Sequence, residues 1–398
     1  MRYLFLLLAS FALTLPLPAG AATPPGQPKS GPGSAMNANA EVVKRAVGRA
    51  SAPIYVYHLA GDAAEPRPVV VFLHAWGAVN PQTYGGWIDH LARRGYLVLF
   101  PIFQELGRTR PLEAGPVAAS RVKDALAALA SDSAARPDPA RLAYIGHTAG
   151  VGVAMYMAGA AAKEGLPNPK LVFGVMPGGI ASDEKSRGVQ MGDLSKVDPS
   201  VSVVTLVGDR EFQASDRLSR RILRETENVP PSRKLFMRAA SDDHGFPTMS
   251  ATLASPASPK SDYDPAAIKL PPDPPVDPRA PRPQRPRWSA DMVLSGEQQV
   301  LLQQLGRNGT DTLDYLAFWR SFDFLAEAAF SGLDMTSVRA NPAFADMGRW
   351  SDGWPVKRLA VETPKADAAP RATSAVTPAA AAPPSAKNPV TRQRREAR

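Results

Sequence analysis

The chain is expected to fold as an α/β domain: a doubly wound, mostly parallel sheet with helices on both faces and a proline-rich insertion before the last helices. Three observations predict this. Seven short apolar runs recur between residues 54 and 237, and several are continuous rather than alternating, as in strands buried on both faces of a parallel sheet. Stretches of helical length and patterning separate them. The 398 residues include 44% apolar side chains and no cysteine, so a hydrophobic core has to hold the fold without disulfides.

In chain order, residues 1–21 read as a secretory signal peptide. Arg2 gives the positive start, residues 4–15 are almost unbroken apolar, Pro16 and Pro18 break the run, and Ala19-Gly20-Ala21 has the small-x-small form of a cleavage site. The run is short for a bilayer span. The chain is therefore expected to be exported, periplasmic or secreted, with no stable membrane span once the signal is removed. Residues 22–40, rich in Pro, Gly, Ser and Ala, read as a flexible linker.

The domain is expected over residues 41–362, with strands at 54–59, 69–73, 97–100, 142–145, 171–175, 203–207 and 234–237. Among the helices, 84–94 is amphipathic around Trp87 and Leu91, and 116–131 opens on a proline suited to a first turn. Residues 148–162 are small and apolar all round, as a helix packed deep against a sheet must be, and 215–225 is charged and exposed. Residues 255–288 interrupt the order. Eleven prolines fall between Pro256 and Pro286, the mark of an extended connection. Helical stretches follow at 290–305 and 311–332, and residues 363–398 read as a disordered, basic Ala/Pro-rich tail.

The net charge of +9 does not point to nucleic acid. Seven basic and two acidic residues lie between Lys365 and Arg398, and Arg279, Arg282, Arg285 and Arg287 lie in the insertion. The remaining body is close to neutral, so a basic groove that tracks phosphates is not indicated. Five histidines without metal-ligand spacing and no cysteine give no expected metal or cofactor site.

The strongest local signal is Leu142-Ala143-Tyr144-Ile145-Gly146-His147-Thr148-Ala149-Gly150. A strand enters a tight turn between two glycines and then a small-residue helix, which lifts Thr148 above the sheet edge. This is the G-x-S-x-G elbow with threonine in the serine position. Three further pieces lie at strand ends: His74-Ala75-Trp76-Gly77, Gly208-Asp209-Arg210-Glu211 and Asp242-Asp243-His244-Gly245.

On these residues the chain resembles the α/β-hydrolase family, in its exported bacterial esterase-like or lipase-like members. The resemblance covers about residues 54–250 and the helical segment 311–359. It implies Thr148 as nucleophile, His244 as base, Glu211 as the acid with Asp209 as the alternative, and the amides of Trp76 and Ala149 as the oxyanion hole. The substrate implied is a small-molecule ester or acyl compound. Each residue also has a plainer reading: Thr148 as a helix cap, Asp209 and Glu211 as solvated loop charges, His244 as a surface turn residue. Threonine for serine and Ala75 for the usual glycine depart from the family pattern together. Two functions are therefore open: ester hydrolysis by a Thr-His-acid triad, or a non-catalytic binding module in the cell envelope. The sequence specifies no oligomeric state.

Overall fold

In the computed structural model, which describes residues 21–210, 212–273, 275 and 287–364, the apolar runs assemble into one nine-stranded sheet. Its elements in chain order are β1 (Val42–Arg49), β2 (Ala52–Leu59), β3 (Arg67–Leu73), α1 (Gly85–Arg93), β4 (Leu97–Pro101), α2 (Ala114–Ala128), β5 (Pro137–His147), α3 (Ala149–Gly159), α4 (Ala161–Glu164), β6 (Leu171–Val175), β7 (Ser202–Gly208), α5 (Phe212–Glu225), β8 (Lys234–Ala239), α6 (Gly296–Arg307), α7 (Arg320–Phe330), α8 (Met335–Ala340) and β9 (Ala360–Glu362). The strand order is β1-β2-β4-β3-β5-β6-β7-β8-β9. The six strands from β4 to β8 in that order run parallel, whereas β1, β2 and β9 are antiparallel to their neighbours. This order and direction are those of the α/β-hydrolase fold.

Period-two alternation along the central strands divides the core into two layers. On β3, Val70 and Phe72 point to the layer that holds Trp87 of α1 and Phe322 of α7. Val69, Val71 and Leu73 point to the layer that holds Val122 of α2 and Val151 of α3. All five β3 residues are fully buried, which is why the strand reads as a continuous apolar run. Phe72 packs against Tyr84, Trp87 and Phe100 with ring centroids 4.8, 5.3 and 6.0 Å away. Such pairs add about 0.5–1.5 kcal/mol each beyond the area they bury.

Two segments differ from expectation. Residues 22–40, expected as a flexible linker, lie against the domain as a strap. Phe246 donates its amide to the carbonyl of Ala22, the Thr312 hydroxyl donates to that of Pro25, and the amide of Gly33 donates to Asp323 at 2.6 Å. Gly33 is needed there: its φ is +82°, and a β-carbon would stand 2.7 Å from the carbonyl oxygen of Tyr315. The first half of the proline-rich insertion is also anchored. Ser258 bonds the start of α1 through its carbonyl and hydroxyl, and Tyr263 is buried against Tyr57 at 5.3 Å. Of the late helical stretch 311–332, residues Asp314–Trp319 form a π-helical turn before α7. Residues 1–20 of the expected signal peptide and residues 365–398 of the expected tail lie outside the described residues.

Candidate functional site

The elbow forms where the sequence places it. Thr148 sits between β5 and α3 with φ 48° and ψ −111°, a conformation that a β-branched residue rarely takes. Its amide donates to the carbonyl of Val175, 3.1 Å away at the end of the neighbouring strand β6. The flanking glycines are required by space. A β-carbon on Gly150 would lie 2.0 Å from the carbonyl oxygen of Leu73, and one on Gly146 would lie 2.6 Å from that of Gly150. The Thr148 side chain makes no cap hydrogen bond to α3, so the plainer reading as a helix cap does not describe it.

Below the elbow lies a buried relay. The amide of Ala75 donates to the Tyr84 hydroxyl at 3.1 Å, Tyr84 donates to Nδ1 of His147 at 2.8 Å, and Nε2 of His147 donates to the carbonyl of Leu253 at 2.8 Å. This fixes the ring in the neutral Nε2–H form. Burial holds the His147 pKa down at about 4, against a weaker opposing pull from the Leu253 carbonyl. The relay ties three loops together: the turn after β3, the elbow, and the segment after β8. In the first of these, His74 is wholly buried and stacked on Phe103 at 4.0 Å, and its pKa is likewise lowered to about 4 by burial.

Trp76, Thr148 and Ala149 line one cavity of about 370 Å³. The loop after β3 and the turn between β5 and α3 thus border the same cavity. Leu253 borders the cavity from the segment after β8, and Arg187, Asp291, Glu297, Gln298 and Leu301 complete its mouth. The last three belong to α6, which packs on the loop after β3. A β-carbon on Gly77, at φ +89°, would touch the Leu302 side chain at 2.7 Å. Among the described residues, no histidine lines this cavity.

The other expected residues have partners of their own. Nε2 of His244 is 2.7 Å from Oδ2 of Asp352, and the ring stacks on Trp354 with centroids 5.4 Å apart. The Asp352 carboxyl is held below its ordinary value by the Trp354 amide and by His244. Asp242 orders the same turn. Burial works to raise it, and the amides of Lys357 and His244 with the Trp350 indole outweigh that and hold it low. Asp209 accepts from the amide and hydroxyl of Ser241, at 2.9 and 2.5 Å. Glu211 lies outside the described residues. No spacing in the sequence signals Asp352 or Tyr84 as partners of the histidines. The acidic lining residue Asp291 is equally silent, at the edge of the proline-rich insertion.

No family model and no curated protein sequence matches the chain. Among solved structures, it is similar to carboxyl esterase 2 from the mycorrhizal fungus Tuber melanosporum, at 16% identity over 52% of this chain and 79% of that one, with a TM-score of 0.39. Two mutant forms of the esterase rPPE are similar at 15% and 13% identity, each over 50% of this chain and 72% of that one, with TM-scores of 0.38.

Proposed function

We propose that this exported α/β-hydrolase-like chain binds a small ester or acyl compound in the cavity over Thr148 and serves as a binding module in the cell envelope. The carbonyl oxygen of the ligand faces the amides of Trp76 and Ala149, at the positive end of α3. One observation carries this reading. The cavity is lined by Thr148, Trp76 and Ala149, while no histidine is among its described lining residues. An unassisted threonine hydroxyl is a poor nucleophile and needs a general base within hydrogen-bond reach.

A second reading, ester hydrolysis by Thr148 with His244 and either Glu211 or Asp209, is favoured by the elbow itself. A φ of 48° at a threonine costs about 1–3 kcal/mol and serves no capping role. In this reading His244 leaves Asp352 to reach the cavity. The two readings separate in one experiment. Hydrolysis of p-nitrophenyl butyrate is followed for wild type, Thr148→Ala and Thr148→Ser, with thermal-shift binding of short-chain esters in parallel. We expect all three proteins at the uncatalysed rate and an ester-induced stabilisation that Leu301→Trp abolishes by filling the cavity. Turnover above background that is lost in Thr148→Ala establishes the hydrolase reading instead.

A further inference from the structure

Two aromatic side chains stand out from the surface where the N-terminal strap begins. Phe246 is 71% exposed and Trp354 is 59% exposed, and neither lines the cavity over Thr148. Single apolar residues are ordinary on a protein surface, but these two are held out on ordered backbone. Trp354 closes a tight turn. Its carbonyl accepts from the amide of Trp350, which is buried, and its own amide donates to Asp352. One face of its ring is taken by His244, stacked with 11° between the planes. Phe246 lies two residues after His244 and donates its amide to the Ala22 carbonyl at 2.8 Å. Thr23 joins the other turn: its amide donates to the Ser351 hydroxyl and its carbonyl accepts from the Ser351 amide, both at 2.9 Å. Residues 22 and 23 thus clip the two turns together. Gly245 leaves room for the clip, since a β-carbon there would stand 2.0 Å from the Ala22 carbonyl oxygen.

The clip also fixes the point at which the preceding chain meets the domain. Six residues, 16–21, separate the apolar run 4–15 from Ala22. Fully extended, they reach about 20 Å. During the export proposed for this chain the apolar run enters a bilayer, and the face at Ala22 is then within that distance of the lipid. Trp and Phe are side chains suited to that zone, where an apolar ring meets headgroups and water. The charges beside them are balanced. Nζ of Lys357 lies 3.9 Å from Oδ1 of Asp243, and the exposed Arg349 and Asp352 add one charge of each sign. Such a face suits a zwitterionic lipid surface and gains nothing from an anionic one.

We propose that the face formed by Phe246 and Trp354 docks on a lipid bilayer and keeps the processed chain at the membrane through which it was exported. All nine strands and the clip lie at or after Ala22, so the chain from Ala22 onward is the molecule to test. Its binding to phosphatidylcholine vesicles is measured by co-sedimentation at low and at high salt. Wild type is expected to partition onto the vesicles equally at both. Phe246→Ser and Trp354→Ser are each expected to weaken partitioning about fivefold, with urea midpoints close to wild type because both rings are exposed. Trp288→Ser removes another exposed ring, two residues before Ala290 of the cavity lining, and is expected to partition as wild type. No partitioning by wild type, or a loss in Trp288→Ser as large as in Trp354→Ser, overturns the proposal. Binding that appears only on anionic vesicles and vanishes at high salt overturns it too, because that is the behaviour of the basic tail. A concentration-dependent dimer that Trp354→Ser dissolves, without vesicle binding, gives the face to a second copy of the chain instead.

Discussion

Gly150 decides whether the elbow exists. A methyl group there would be driven into the backbone of β3, 2.0 Å from the Leu73 carbonyl oxygen. Gly150→Ala should therefore destabilise the domain by about 3 kcal/mol or more, read from urea unfolding. Gly306→Ala is the contrast. That position is exposed in α6 with nothing within 4 Å, so the change should stabilise by about 0.5–1 kcal/mol. A second prediction concerns His74 and His147, whose pKa values burial lowers to about 4. The unfolded rings titrate near 6.5. Their contribution to stability is complete above about pH 6.5 and is lost as the pH falls toward 4, by about 3 kcal/mol for each ring. Urea midpoints at pH 7 and pH 4.5 should differ accordingly, and His147→Gln should flatten the dependence by about half. The elbow was legible in the sequence because its glycines act within five residues. The Tyr84–His147–Leu253 relay and the His244–Asp352 pair were not, since their members lie 63 to 108 residues apart and carry no local pattern.

At the level of elements, the seven central strands were legible because burial on both faces leaves continuous apolar runs. Strand β1 was not. It carries Lys44, Arg45 and Arg49 and is recognisable only through its full-length pairing with β2. The N-terminal strap was misread for a related reason. Its Pro/Gly/Ser composition is that of a linker, and what binds it is Asp323 on α7, 290 residues away. Asp323 is wholly buried, accepts from the amide of Gly33 and from Nε2 of His90 at 3.1 Å, and forms an ion pair with Arg94, whose Nε lies 3.0 Å away. Removing it leaves those donors stranded, so Asp323→Ala should cost about 3–5 kcal/mol in urea unfolding. The exposed pair Lys44–Asp262 sets the scale for a surface contact, and Asp262→Ala should cost under about 1 kcal/mol.

For the molecule as a whole, the two core layers meet at β5, whose C-terminal end delivers Thr148 to the cavity beneath α6. The scaffold was legible because layers are set by alternation along strands. The contents of the cavity were not, because α6 and Asp291 arrive after the proline-rich insertion. Residues 365–398 are Ala/Pro-rich and basic, a composition expected to build no core of its own. Ending the chain at residue 364 should leave the melting temperature and ester binding unchanged. The proposed binding role turns on Thr148 lining a cavity that has no histidine among its described lining residues. Labelling with a fluorophosphonate tests this most directly, because the phosphorus–oxygen bond forms, with loss of fluoride, at an activated hydroxyl. Intact-mass analysis after prolonged exposure should show the unmodified chain; stoichiometric addition mapped to Thr148 would contradict the account.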